Sequence, residues 1–309
     1  MLLGIVFVSG CNDKQTTAIP AAEQETKLDP ESKLAAIKIE SYAHPDALIS
    51  VYQLKEKILD PEILVFDARG RTFRIYQQTY LQSHIPGALP ILYSNYYNQA
   101  YPGRMAFPLE FQSMLGKSGV SNNTSIVLYG GDGLEARLYW AIKMYGYDDV
   151  KILDGGLDKW KESGGDTSNV ISKGSPVEFK FDLTNSKAES MLATLKDVKA
   201  AVSGNDYFIV DARSDAEYAK GHIPGSMNIP STLLFNKDMT FKPSPQLREL
   251  FESKKITQDK TVIVYSNVGV RSSLVWFALS ELLGYPNVKN YDGSYNEWLE
   301  YKGPVATGL

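Results

Sequence analysis

Four sequence blocks occur twice in this chain, in the same order and at similar spacing. The first half contains FDAR, SHIPGA, IVLYGGDG and LDGGLDKW, and the second half contains VDAR, GHIPGS, VIVYSNVG and YDGSYNEW. Four ordered matches do not arise by chance, so we predict two homologous domains. Each copy spans roughly 110–130 residues, which is an ordinary domain size.

Both copies alternate strand-like and helix-like patterns. In the second copy, a β-branched and aromatic run at residues 262–265 is followed by a polar loop and then by an apolar helical pattern. This alternation predicts an α/β fold in which each domain is a mainly parallel sheet with helices on both faces. Ligands bind such sheets outside the carboxyl ends of the strands, so residues 266–271 form the candidate site.

This loop is expected to turn its backbone N–H groups inward, where they meet the positive end of a helix. Such an arrangement binds anions and stabilises a thiolate. A tight turn there favours glycine, and a basic residue starts the helix. The residue at the centre is a serine, and the only cysteine of the chain is Cys11. The predicted anion-binding loop consists of Ser266, Asn267, Val268, Gly269, Val270 and Arg271.

The repeated blocks resemble rhodanese domains, and the resemblance extends from about residue 41 to residue 309. The string VDARSDAEYAKGHIPGSMNIP and the DGG…W block carry it. The resemblance implies a tandem-domain thiosulfate or mercaptopyruvate sulfurtransferase with a silent N-terminal copy. In that family a cysteine at the start of the C-terminal loop transfers sulfur as a persulfide. That position here is Ser266, and the implied catalytic set is Ser266, Arg271, Arg213 and Asp211.

A serine hydroxyl is far more basic than a thiol and forms no stable persulfide, so we expect the chain as it stands to lack sulfur-transfer activity. Three interpretations stay open. Ser266 replaces the cysteine of a sulfurtransferase, or it belongs to a natural pseudoenzyme that binds an anion or a partner, or it is a hydrolase nucleophile. The third lacks a base, because no histidine lies in or next to the loop. The otherwise intact loop favours the first.

The resemblance also bears on the substrate. The six-residue loop favours sulfur over phosphate, because the related dual-specificity phosphatases need one more residue. Asn267 and Val268 match neither the thiosulfate nor the mercaptopyruvate pattern, so both donors stay open, with cyanide or a thiol as acceptor. Arg213 matches a family arginine that can face an anionic substrate. The alternative for Arg213 is an ion pair with Asp211 or Glu217.

The N-terminal copy is expected to be non-catalytic and to help wall the site. Gly130 takes the place of Ser266, and Glu135 takes the place of Arg271. Arg137, at the start of the same helix, is predicted to form a buried ion pair. The HIPG and Asp-Gly…Trp blocks are expected to be structural in both copies, including His84, His222, Asp154, Asp292, Trp160 and Trp298.

Composition excludes several functions. The net charge is −4 and no basic stripe is visible, so nucleic acid is not an expected partner. A single cysteine allows no internal disulfide and no cysteine-rich metal site, and the three histidines are scattered. We therefore expect no cofactor and no metal.

The chain divides into five predicted segments. Residues 1–11 resemble a bacterial lipoprotein signal that is cut before Cys11, although no basic residue precedes the apolar run. This predicts a lipid anchor as the only membrane contact and a location on the periplasmic side of the cell envelope. The composition of residues 12–40 predicts a flexible tether. The remaining segments are an N-terminal domain at 41–165, a linker at 166–190 that packs through its Phe-Lys-Phe motif, and a C-terminal domain at 191–309.

Overall fold

The computed structural model describes Met1, residues 29–101 and residues 103–308. The predicted lipidation site Cys11 and most of the predicted tether lie outside these residues. Within the described ranges, no helix combines the length and the apolar character that a membrane crossing requires.

The N-terminal domain is built on one parallel sheet. Its strands are β1 (Leu48–Ile49), β2 (Ile63–Gly70), β3 (Leu89–Leu92), β4 (Ser125–Tyr129) and β5 (Val150–Leu153). They lie in the order β1-β5-β4-β2-β3. Its helices are α1 (Pro30–Glu40), α2 (Val51–Lys57), α3 (Phe73–Gln78), α4 (Pro108–Lys117), α5 (Leu134–Met144) and α6 (Gly156–Glu162).

The C-terminal domain repeats this architecture. Its strands are β6 (Leu192–Ala193), β7 (Tyr207–Asp211), β8 (Ser226–Asn228), β9 (Thr261–Tyr265) and β10 (Val288–Tyr291). Their order, β6-β10-β9-β7-β8, corresponds strand for strand to the first sheet, and all pairs are parallel. Its helices are α7 (Ala188–Met191), α8 (Leu195–Ser203), α9 (Asp215–Lys220), α10 (Ser244–Glu252), α11 (Val270–Phe277) and α12 (Ser294–Glu300). The predicted α/β fold with two homologous domains is confirmed.

Both faces of each sheet are covered, which explains the continuous apolar strands. In β4, Ile126 and Leu128 face a core that extends through both domains, whereas Val127 and Tyr129 face a separate core on the opposite side. The shared core is formed largely where α5 packs against α11. The Tyr139 ring lies edge-on to Phe277, with 4.9 Å between ring centroids. The two domains therefore share buried apolar surface.

Residues 30–40 differ from the predicted flexible tether, because they form α1. Lys38 Nζ lies 2.5 Å from Asp154 Oδ2 of the N-terminal domain and donates a hydrogen bond to the Phe241 carbonyl of the C-terminal domain. Just beyond the helix, the Tyr42 hydroxyl donates to the Lys242 carbonyl at 3.0 Å. These contacts with distant residues order a segment whose composition alone indicates disorder.

The linker packs as its Phe-Lys-Phe motif predicts. Phe179 and Phe181 are both buried. The Phe179 ring lies 5.3 Å from Tyr147 and the Phe181 ring 5.8 Å from Phe111, both in the N-terminal domain. This aromatic cluster holds the linker against that domain.

Candidate active site

Ser266 follows the carboxyl end of β9, the central strand of the C-terminal sheet. Its side chain is buried, and its hydroxyl lies 3.4 Å from the Ser272 hydroxyl of α11. It lies in the wall of a cavity of about 530 Å³ to which both domains contribute, since Arg71 and Asp132 of the N-terminal domain also line it. The carboxyl end of β9, where the site was predicted, thus opens into a cavity.

Ser294 holds the first and fourth residues of the loop together, a role that the sequence did not predict. Its hydroxyl accepts hydrogen bonds from the backbone N–H groups of Ser266 at 3.2 Å and Gly269 at 2.8 Å. It donates in turn to the Tyr291 carbonyl at 2.6 Å. Ser294 has a φ of 55°, and the equivalent residue of the first domain is Gly156, also at 55°. A non-glycine residue in the left-handed region is strained, and here it gains three hydrogen bonds that shape the loop.

The remaining backbone N–H groups of the loop are free. Among the described residues, those of Asn267, Val268 and Val270 donate to no protein acceptor, and all three residues line the cavity. They lie at the N-terminal end of α11, where the helix dipole also favours negative charge. The loop can therefore hold a small anion or a thiolate beside residue 266.

Gly269 has the positive φ that the predicted tight turn requires, at 72°. A Cβ at this position would lie only 2.6 Å from Asp292 Oδ1 and 2.9 Å from the Asp292 carbonyl. The position therefore excludes a side chain for two reasons, backbone conformation and close approach of Asp292.

Gly269→Val is expected to lower the free energy of unfolding by about 1–3 kcal/mol from backbone strain, with an added cost from the contact with Asp292. Urea denaturation measures the change. Gly225→Val is the matched control, because Gly225 also has a positive φ, at 76°, but a Cβ there would meet nothing within 4 Å. Equal losses in the two variants would show that the contact with Asp292 contributes nothing.

Arg271 lines the cavity, and its positive charge is balanced by a neighbouring carboxylate. Its Nη1 and Nη2 donate to the two carboxylate oxygens of Glu217 at 2.6 and 2.8 Å. The Asn267 amide donates to the same carboxylate at 2.9 Å. The hydrogen bond from Arg271 holds the pKa of Glu217 well below its usual range. Glu217, which was a candidate partner of Arg213 on sequence grounds, pairs with Arg271 instead.

The Arg213 side chain was expected to face the substrate, but the structure places it elsewhere. It is buried and does not line the cavity. Its Nε and Nη2 donate to Asp211 at 3.0 and 2.6 Å, and Nη2 also donates to the Gly221 carbonyl. Its guanidinium lies 4.0 Å from the centre of the Tyr295 ring. Arg213 and Asp211 form the ion pair that was the alternative, because a buried guanidinium needs these partners close at hand.

In the N-terminal copy, a carboxylate occupies the place of the nucleophile. A Cβ on Gly130 would collide with the Glu135 carboxylate, which accepts a hydrogen bond from the Gly131 N–H at 3.2 Å. Burial raises the pKa of Glu135 to about 7. The N-terminal loop thus holds its own acidic side chain where the C-terminal loop holds Ser266.

Glu135→Gln is expected to become more stable relative to the parent chain as the pH rises. The parent retains this proton up to about pH 7 when folded but only up to about pH 4.5 when unfolded, so it loses stability within that window. Glutamine does not titrate, so the difference in unfolding free energy should grow by about 3 kcal/mol between about pH 5 and pH 8. Urea denaturation at both pH values measures it, with Glu56→Gln on the exposed part of α2 as control. A difference that does not change with pH would contradict this assignment.

Arg137 forms the predicted buried ion pair, but its partners lie across the domain boundary. Its Nη2 donates to Asp292 Oδ1 at 2.6 Å, and its Nη1 donates to the Val268 carbonyl of the C-terminal loop at 2.5 Å. The Met105 N–H donates to the other oxygen of Asp292 at 2.7 Å. The N-terminal domain therefore helps to position the loop of the C-terminal domain.

Asp154 mirrors this arrangement. It pairs with Lys38, and it accepts a hydrogen bond from the Phe241 N–H of the C-terminal domain at 2.8 Å. Each Asp-Gly motif thus accepts a backbone N–H from the opposite domain. The motifs are structural, as expected, but they join the domains in addition to making turns.

The repeated histidines and tryptophans also have structural roles. His84 stacks on Tyr80 with 3.8 Å between ring centroids, and His222 stacks on Tyr218 at 3.7 Å. The Trp160 and Trp298 indoles both donate to backbone carbonyls six residues further on. In the described part of the chain, no group of three or more His, Cys, Asp or Glu side chains is arranged to hold a metal ion.

Two matched parallel-sheet domains define a tandem-domain α/β protein. Residues 50–163 and 194–301 each match the Rhodanese-like domain. The chain belongs to the rhodanese family.

Relatives align over most of the chain. The sulfur carrier protein TtuD of Thermus thermophilus is 33% identical over 86% of this chain and 99% of its own length. A putative thiosulfate sulfurtransferase of Haloferax volcanii is 34% identical over 75% of this chain and 86% of its own. The anaerobic ergothioneine biosynthesis enzyme from Chlorobium limicola, solved in complex with trimethyl histidine, has a TM-score of 0.76. That alignment covers 87% of this chain and 72% of the other at 24% identity, so it shows the fold alone.

Proposed function

We propose that this chain is the scaffold of a rhodanese-type sulfurtransferase, kept inactive by Ser266. A thiosulfate-type donor would deliver sulfane sulfur to residue 266, and a thiophilic acceptor such as cyanide or a thiol would remove it. The single observation that carries the proposal is the loop at Ser266, which has free N–H groups and whose residues line a cavity beside the nucleophile position. The names of the relatives, a sulfur carrier and thiosulfate sulfurtransferases, support the same chemistry.

With a thiol at position 266, the loop supplies what the reaction needs. The N-terminal end of α11 and the free N–H groups lower the pKa of the thiol, so the thiolate is present near neutral pH. The thiolate attacks the outer sulfur of thiosulfate, the S–S bond of the donor breaks, and sulfite leaves with the electron pair. The same N–H groups can hold the charged oxygens of the donor during this step.

Persulfide formation in the Ser266→Cys variant tests the proposal. After incubation with thiosulfate or mercaptopyruvate, intact-protein mass spectrometry is expected to show one added sulfur atom that a reducing thiol removes. The parent chain and Ser266→Ala should show none. A folded Ser266→Cys protein that takes up no sulfur from either donor would overturn the proposed function.

A second candidate is a natural pseudoenzyme, a binding module for a small anion or a partner. The observation in its favour is that the Ser266 hydroxyl is buried beside the Ser272 hydroxyl without disturbing the loop. Calorimetric titration with sulfate separates the two. Sulfate binding by a Ser266→Cys variant that forms no persulfide would favour the binding module.

We propose further that the chain is anchored on the periplasmic side of a bacterial envelope through lipid on Cys11. The support is the short apolar run that ends in VSGC at Cys11, followed by a polar stretch. In a bacterial host, labelled fatty acid is expected to incorporate into the protein, and Cys11→Ala is expected to move it to the soluble envelope fraction. Equal fractionation of both forms would end this proposal. Firm attachment needs more than one acyl chain, because a single chain binds only marginally.

A further inference from the structure

The charged side chains that line the cavity beside Ser266 are neutralised in pairs. Arg271 is bound at both terminal nitrogens by Glu217. Arg71 lies 3.2 Å from Asp132, and both of these side chains line the cavity. Among the described lining residues there is no further arginine and no lysine. Beyond the loop itself, the walls therefore offer no unbalanced positive charge to an anion.

Part of the lining of the same cavity, here called the apolar wall, is formed by five apolar side chains, alongside the polar Ser231, Thr232 and Asn236. Phe235 and Met239 come from a short antiparallel turn, in which Phe235 pairs with Phe241. Val270 and Leu274 come from α11, and Val268 comes from the loop. The turn is tied to the N-terminal domain through the hydrogen bond from Phe241 N–H to Asp154, so this wall is held in place.

The volume of the cavity is suited to a small organic molecule rather than to an ion of two or four atoms. Ligand pockets occupy about 300–1,000 Å³, and this cavity measures about 530 Å³. A cyanide ion would leave most of it empty. A ligand with an aromatic or aliphatic body would displace water from Phe235, Met239 and Leu274, which is favourable.

We propose that the sulfur acceptor of this site is a small, uncharged organic thiol with an apolar body, which lies against Phe235 and Met239 with its sulfur toward residue 266. For the transfer itself the inference rests on the proposed function. The acceptor binds as the neutral thiol and loses its proton to solvent, and the resulting thiolate attacks the outer sulfur of the persulfide. A new S–S bond forms in the product, and the old S–S bond breaks. Its electron pair returns to the enzyme sulfur, so no oxidant or reductant is consumed.

Ligand binding to the parent chain tests whether the apolar wall binds an apolar ligand, and it requires no sulfur transfer. Benzyl methyl sulfide and 2-(methylthio)ethanol are unreactive probes that differ in their apolar body. Titration followed by NMR is expected to show that the parent binds the benzyl compound on the order of 10-fold more tightly. Phe235→Ala and Met239→Gln should each remove most of this preference. Leu233→Ala is the matched control, because Leu233 is a nearby exposed apolar residue that does not line the cavity.

Transfer rates complete the test in the Ser266→Cys background, after the thiol has been loaded with sulfur from inorganic polysulfide. Phenylmethanethiol is expected to exceed 2-mercaptoethanol by on the order of 10-fold in kcat/KM, although the two thiols have similar basicity. Phe235→Ala should abolish that ratio, and its circular dichroism spectrum should match that of the Ser266→Cys protein, which shows that the variant is folded. Leu233→Ala, outside the cavity, should leave both the ratio and the rate with cyanide unchanged. Equal binding of the two probes by the parent would overturn the inference. Preferential binding without persulfide formation would instead reject the proposed function and leave the assigned ligand class standing.

Discussion

Replacing Ser266 by cysteine is expected to raise the rate of sulfur transfer from thiosulfate to cyanide by on the order of 10³-fold or more. The change adds the one group that the chemistry lacks, while the surrounding geometry is already present. The loop residues line the cavity and have free N–H groups, Ser294 accepts hydrogen bonds from the N–H groups of Ser266 and Gly269, and Gly269 allows the turn. Thiocyanate formation under steady-state conditions measures the rate.

The pH profile should identify the loop as the cause. A free thiol has a pKa of about 8.5, and a thiol at a helix N-terminus titrates at about 3.5–7.5. The rate of sulfur uptake by Ser266→Cys is therefore expected to reach its plateau at or below neutral pH. A rate that still rises above about pH 8.5 would show that the loop does not stabilise the thiolate.

The other half of the repeat provides a matched control. Gly130→Cys places a thiol at the equivalent position of the N-terminal loop, where the buried Glu135 carboxylate occupies the same space. A neighbouring carboxylate opposes thiolate formation, so this variant is expected to remain at the background rate. Activity in Gly130→Cys comparable to that of Ser266→Cys would contradict the assignment of the site to one domain.

Arg137→Met is expected to lower the free energy of unfolding by about 3–5 kcal/mol. The substitution keeps a long side chain but leaves the Asp292 carboxylate buried without its cation. It also removes the hydrogen bonds to the Val268 and Gly103 carbonyls. Chemical denaturation of the whole chain measures the loss.

Two further variants show whether the effect comes from the buried pair. Arg71→Met breaks an ion pair whose side chains are 41% and 44% exposed, so it should cost less than about 1 kcal/mol. Combining Arg137→Met with Asp292→Asn removes both charges and should recover part of the loss. A cost for Arg137→Met as small as that for Arg71→Met would contradict the role of Arg137 as a link between the domains.

The sequence was sufficient for features that repeat or that depend on local conformation. The four duplicated blocks predicted two matched parallel-sheet domains, because strand and helix periodicities encode which faces are buried. Gly269 was predictable from its place in a tight turn. Gly130 and Glu135 marked the N-terminal loop as silent, because alignment of the two copies is enough to show that the nucleophile is missing there.

Ion-pair partners were not predictable, because several oppositely charged side chains are close enough in the sequence to pair with a given charged residue. Glu217 was a candidate partner for Arg213, yet it binds Arg271, and Arg213 binds Asp211. Both alternatives are compatible with the sequence. Only the positions of α9 and α11 relative to β7 decide between them.

The features that only the tertiary structure determined are contacts between the two domains. Lys38 orders a segment that looks like a tether, because its partner Asp154 comes from a distant part of the chain. Arg137 holds the Val268 carbonyl of the other domain, and Arg71 of the N-terminal domain lines the same cavity as Ser266. The hydrophobic periodicity of the sequence indicates which side chains are buried. The residue that each of them contacts across the domain boundary depends on how the two domains pack together. The sequence therefore specified the two domains and the loop, and their packing determined the site.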